Sequence, residues 1–303
     1  MLQSRATLRT MRHAIVILLA LAGSLRVIVH SDNSDDANDL HAAGVAAHLE
    51  GCLGDAKREY DAALARVPPV PPTDVQRSRV LRLAPRVFVN AREPFALKDV
   101  AAIVHPSERV IAYHLFWEDD IDFPDDNEPS DHEVVWVRYD ADDRVSAVST
   151  LFHGRVVNMA ADRLAGARRN GSRLRVDVQW GKHGPMPEGW SHQTIETEAA
   201  DGDTGIPAER EMTLLEYNRL SWLKLSTEGT RSRQHPLSIR YGWPSRFAGD
   251  FAAFTSFTRE VDVRGLLELR KLMLVSQWNS GPLARYLLLY NFHPKLEWPD
   301  SEE

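Results

Sequence analysis

A single cysteine, Cys52, stands in 303 residues, so the chain can form no internal disulfide. Set in a helical pattern of Ala, Leu and Gly, that thiol reads as buried packing. Gly-x-Ser-x-Gly, a phosphate-cradling glycine loop, a dinucleotide fingerprint and His-Glu-x-x-His are all missing, which removes the readiest grounds for several enzyme classes. Positive charge is also in deficit. With 36 Lys and Arg against 43 Asp and Glu, the formal net charge is -7, which argues against a nucleic-acid partner. The one basic run, Arg163 to Arg175, contains Gly, Asn and Ser without interleaved aromatics and reads as a solvated loop.

The N-terminus carries a compartment signal. Residues 1–12 hold three Arg and no acid, followed by "AIVILLALAGSL" and then the acidic "HSDNSDDAND". A basic start, a short apolar run and the small-residue triplet Ala20, Leu21, Ala22 describe an export signal cut near Ala22. Residues 1–24 are therefore expected to be a signal peptide, or alternatively an N-terminal membrane anchor if the apolar run extends past Arg26. The protein is accordingly expected to be secreted or periplasmic, with residues 25–38 as an acidic linker.

Two apolar-periodic stretches broken at Gly51 and Gly54 predict a helical hairpin over residues 39–69. Leu40, Gly44, Ala47, Ala56, Tyr60, Ala63 and Pro68 resemble a single tetratricopeptide repeat. One repeat cannot bury its own apolar face, so the hairpin should pack on the main domain or self-associate with another chain. "PPVPPTD" begins a stiff Pro-rich linker, assigned to 70–84.

Beyond it, β-branched and aromatic runs separated by polar turns predict strands: "RVFVNA", "RVIAYHLFW", "EVVWVRYD", "RVSAVSTLFHG" and "RLRVDVQWG". In the last, Leu174, Val176, Val178 and Trp180 alternate with polar residues, the pattern of a half-buried antiparallel strand. Successive strands without a crossover helix predict a mainly β fold with helical additions, an antiparallel β-sandwich or jelly-roll-like core spanning 85–299. In the C-terminal third, "PAEREMTLLEYNRLSWLKL" and "VDVRGLLELRKLMLVSQW" read as amphipathic helices and "LSIRYGW" as a strand, before a tail at 300–303.

Between Glu118 and Glu133 lie nine acidic residues, at the junction of two strands. Asp119, Asp120, Asp122, Glu128, Asp131 and Glu133 repel one another when ionised unless positive charge offsets them. Ca²⁺ or Mg²⁺ would supply it, since hard cations take carboxylate oxygens. No Gly occupies the turn position of the regular calcium loop, so ligands would have to come from two strand ends. Period-two alternation places Glu133 on one face with Val135, Val137 and Tyr139, and an inward carboxylate needs a partner. An acidic loop that binds nothing is the competing expectation.

The order of these strands, with "SDHEVVWVRYD" after the acidic loop and "FHG" at Phe152 to Gly154, resembles the necrosis- and ethylene-inducing peptide-like (NLP-like) proteins over about residues 105–185. Their Gly-His-Arg-His-Asp-Trp-Glu motif is matched at Asp131 and Glu133. His132 replaces its Trp, while Glu128 and Ser130 replace its two His. The family's upstream Asp would fall on Asp119, Asp120 or Asp122. The resemblance implies a secreted β-sandwich holding a divalent cation in acidic loops and engaging a glycan or glycolipid headgroup at a membrane surface. Loss of the motif His favours an oxygen-only site.

Two further residues are candidates. His153 and His183 sit at strand ends beside Gly, where each could carry protons for a metal-dependent hydrolase using the same carboxylates. Each could equally close a turn through a backbone hydrogen bond. A structural protein without metal is the third expectation.

Overall fold

Side chains that alternate along successive strands must be buried on at least one face, and here one sheet is buried on both. The computed structural model describes residues 32–121, 131–169, 173–197, 201, 204–228, 250–288, 295, 298 and 299. The chain begins with helices α1 (Asp32–Leu49), α2 (Leu53–Arg66) and α3 (Asp74–Leu83), then strands β1 (Arg86–Asn90), β2 (Leu97–Val104), β3 (Val110–Trp117), β4 (Asp131–Tyr139), β5 (Val145–Phe152) and β6 (Arg155–Asn158). Helix α4 (Ala161–Arg169) precedes β7 (Arg175–Val178), β8 (Pro185–Pro187), β9 (Thr194–Thr197) and β10 (Arg210–Thr213). The last third holds α5 (Leu214–Glu228), α6 (Phe251–Phe254), β11 (Phe257–Val261), α7 (Val263–Arg270), β12 (Met273–Val275) and α8 (Gly281–Leu287).

A six-stranded sheet runs β12-β2-β3-β4-β5-β6 and a four-stranded sheet runs β11-β1-β7-β8, with β9 and β10 as a separate pair. The β-rich core preceded by a helical pair matches the expected architecture. Pairing within it is mostly antiparallel, but β1 with β7 and β2 with β12 are parallel. Ile111, Tyr113 and Leu115 of β3 and Val135 and Val137 of β4 meet Val87, Val89, Val176 and Val178 of the smaller sheet in one apolar cluster. The opposite face, with Ala112, Phe116, Val134 and Trp136, is covered by Leu272, Leu274, Leu283 and Trp298. Every residue of β3 is therefore buried, which explains why its sequence is a near-continuous apolar run rather than an alternating one. Truncating Trp136 to Ala is expected to cost roughly 3–5 kcal/mol.

The helical pair docks on the C-terminal segment. Ala56 and Tyr60 of α2 pack with Ala284 and Leu288, and His41 stacks on Trp278 at 4.8 Å and 2°. Gly44 lets the two helices touch: a Cβ there would stand 2.7 Å from the Tyr60 ring. The apolar face of α2 is thus occupied within the chain.

Several local readings are corrected. Cys52 is exposed at the N-cap of α2, not buried. Both stretches assigned to linkers are partly helical: residues 32–38 open α1, and most of 70–84 becomes α3, whose Thr73 and Gln76 form a reciprocal capping box. Residues 207–225 do not form one helix, since Arg210–Thr213 pairs as β10 before α5 starts. Likewise the second helical stretch breaks after Arg270, where Lys271 takes a left-handed φ of 56°, and continues as β12. Strand β7 is buried on its polar side too, at Asp177 and, just beyond its end, at Gln179. The expected N-terminal signal (1–24), the "LSIRYGW" strand and the tail at 300–303 lie outside the described residues. Among the described residues, no helix is long and apolar enough to cross a membrane.

Candidate functional site

Antiparallel register builds the site. Trp117, the last residue of β3, pairs with Asp131, the first of β4, so the chain leaving β3 at Glu118 to Ile121 emerges beside Asp131. From the other sheet, the turn after β7 brings His183 to the same end. Gly181 adopts a φ of +71° there, and a Cβ on it would meet Ile121 at 3.2 Å. The Ile121 amide donates to the Gly181 carbonyl at 2.8 Å, clipping the two exits together.

His183 is wholly buried between two carboxylates. Its Nδ1–H donates to Asp131 Oδ2 at 2.9 Å and its Nε2–H to Glu93 Oε1 at 3.1 Å. Glu93, from the turn between β1 and β2, is itself held: Oε1 accepts from the Phe95 amide at 3.1 Å and Oε2 from the Gly181 amide at 2.8 Å. The Trp117 ring stacks on the imidazole at 4.3 Å and 5°, a contact that favours the cationic ring. Burial alone would push the His183 pKa down, but the Glu93 charge and the bonds to Asp131 and Glu93 outweigh it, and the pKa rises to about 10. Asp131 responds in the opposite sense. Burial opposes its ionisation, yet the His183 bond and charge hold its carboxyl below the usual range.

Glu133 is less well provided for. It begins the inward row two residues beyond Asp131, and it is only 5% exposed. Its Oε1 lies 3.5 Å from Lys295 Nζ, whereas Oε2 is buried with no hydrogen-bond partner. Burial, aided by the Asp131 charge and opposed by Lys295, pushes its carboxyl up to about 8. A carboxylate here is short of positive charge.

Of the residues singled out from sequence, Asp131, Glu133 and His183 come together. Asp119 and Asp120, both half-buried, lie at the same end, where the Asp120 amide donates to Asp119 Oδ1 at 3.0 Å. Asp122 and Glu128 lie outside the described residues. His153 belongs to a different arrangement: its Nε2 is 2.6 Å from Gln179 Oε1, its φ is +46°, and its carbonyl accepts from Arg155. His132, in the motif's Trp position, is on the opposite face of the sheet, 2.8 Å from His114 Nδ1.

Glu93 and Lys295 were not found by sequence reasoning. Neither lies in a periodic run, and only the fold brings them to Asp131 and Glu133. Among the described residues, no three metal-ligating side chains converge on one point. No family model, curated protein or solved structure matches the chain.

Proposed function

We propose that the acidic end of the sandwich binds a divalent cation, Ca²⁺ or Mg²⁺, through Asp131 and Glu133. The observation that carries this reading is Glu133 Oε2, buried and unpartnered beside a second carboxylate. A cation there would let Glu133 ionise and would supply the charge it lacks. Waters would complete the shell, as hard cations held by one or two carboxylates require, with Asp119 and Asp120 at its edge. In an exported NLP-like protein, such an ion would bridge to the hydroxyls of a glycan or glycolipid headgroup. The hydrolase reading is less well supported, because both nitrogens of His183 are engaged by carboxylates and His153 by Gln179.

Lys295 favours a second reading. Its ammonium, 3.5 Å from Glu133 Oε1, could close the site as a purely structural ion pair. Thermal unfolding of the full chain separates the two, since a ligand bound only to the folded state raises the midpoint. The expected outcome is a rise with millimolar Ca²⁺ or Mg²⁺ that Asp131→Asn, Glu133→Gln abolishes. No shift with either ion would favour the Lys295 reading.

A further inference from the structure

We propose that a cleft at the opposite end of the sandwich binds a phosphomonoester. The cleft, about 210 Å³, is rimmed by Arg82, Arg144, Arg168 and Arg173, with Leu83 and Leu174 in its floor. These arginines come from four separate places: α3, the β4–β5 turn, α4 and the segment before β7. The proposal does not depend on the cation site.

Local structure sets the guanidinium groups in advance. Asp140 Oδ1 accepts from the amides of Asp142 and Arg144, each at 2.9 Å, which fixes the β4–β5 turn. Within that turn Asp143 holds a φ of +60°. Arg82 donates to the Asp143 carbonyl at 2.8 Å, while Arg168 donates to the Val145 carbonyl. The two side chains are therefore anchored at the rim by backbone acceptors, and a bound anion would not have to order them. Arg144 and Arg173 pair with Asp142 at 3.2 Å and Glu260 at 3.3 Å. Arg144 and Asp142 are each more than two-thirds exposed, so that pair is weak and readily exchanged for a ligand oxygen.

The chemistry selects the ligand. Planar guanidinium forks match the oxygens of a phosphate, which can accept from several at once. Each arginine also faces a carboxylate, Arg82 with Asp143 at 3.3 Å and Arg168 with Asp140 at 3.9 Å beside the two pairs above. Only Asp143 lines the cleft, so an entering ligand meets four guanidinium groups, and a dianion exchanges for these solvated partners better than a single carboxylate would. Val145 and Ala167, half-buried in the lining above the buried Leu83 and Leu174, offer an apolar surface to the ester group, the usual division of labour in a small-molecule site.

Calorimetric titration of the full chain with phenyl phosphate tests this. Vesicles of phosphatidylcholine with and without phosphatidic acid distinguish a lipid headgroup from a soluble ester. Binding in either arm is expected to weaken about tenfold in each of Arg144→Gln and Arg168→Gln, the loss of one charge-assisted contact. The unfolding midpoint of Arg144→Gln should be unchanged, which keeps the result interpretable if Arg168→Gln loosens the turn. Absence of binding in both arms, or binding that neither variant weakens, would overturn the proposal.

Discussion

The two ends of the sandwich handle charge in opposite ways. Strand β4 starts at Asp131 in a buried acidic cluster and finishes at Tyr139, next to the exposed, arginine-rimmed turn at Asp140 to Arg144. At the first end His183 has no exposed side-chain surface, and every polar atom of its ring is spoken for. At the second, each pair lies in contact with water. Burial, more than the number of ion pairs, sets what the charges do. Removing one partner of a buried, hydrogen-bonded ion leaves an uncompensated charge, whereas exposed pairs contribute at most about 1 kcal/mol.

The largest expected effect comes from breaking the buried end. His183→Ala leaves Glu93 and Asp131 facing each other without a cation, and a loss of roughly 3–5 kcal/mol in denaturant unfolding is expected. A loss below about 1 kcal/mol would mean that the cluster is solvated like the arginine end.

Acidity sharpens the contrast next. Glu133 is raised in the folded state, so the folded protein binds more protons than the unfolded chain between the ordinary Glu value and about 8. Stability must therefore fall as pH rises through that window. His183 contributes stability that is complete below its ordinary value and is lost as pH rises through about 10. Stability measured without divalent ions should fall steadily from about pH 5 to 8, and Glu133→Gln should remove the lower part of that slope. A slope unchanged in the variant would assign it to other groups.

Smaller effects belong to the arginine end. Asp143→Ala removes the carboxylate bonded to Arg79 at 2.7 Å and paired with Arg82 at 3.3 Å, and also places Ala at positive φ. A cost of about 1–2 kcal/mol is expected by chemical denaturation. Arg144→Gln should change stability by less than about 0.5 kcal/mol.

The same contrast explains what could be read from sequence. The hairpin of α1 and α2, the strands β3 to β5 and the inward placement of Glu133 follow from local periodicity, which the chain displays openly. Strand β2 was harder to see, because "LKDVAAIV" opens with mixed residues and is buried mainly at its far end. Helix α3 was concealed by the prolines that precede it, Pro68 to Pro72, although Thr73 and Gln76 carry the spacing of a capping box. In the C-terminal third, apolar periodicity ran across strand-to-helix and helix-to-strand boundaries, and short apolar runs do not distinguish the two. At the site, Asp131 and Glu133 share one strand and were legible together. Glu93 and Lys295 were not, because their positions depend on tertiary packing between segments far apart in the chain. Cys52 was misread for a related reason: helical spacing does not specify which face of a terminus is covered.

The central claim concerns the ionisation of Glu133, and the most direct measurement is a carbon-13 NMR titration of the glutamate carboxyls with and without millimolar Ca²⁺ or Mg²⁺, assigned through Glu133→Gln. The expected result is a midpoint of about 8 without the ion, moving well toward acid when the ion is present. A midpoint that the ion leaves in place would contradict the account and leave Lys295 as the positive charge that closes the site.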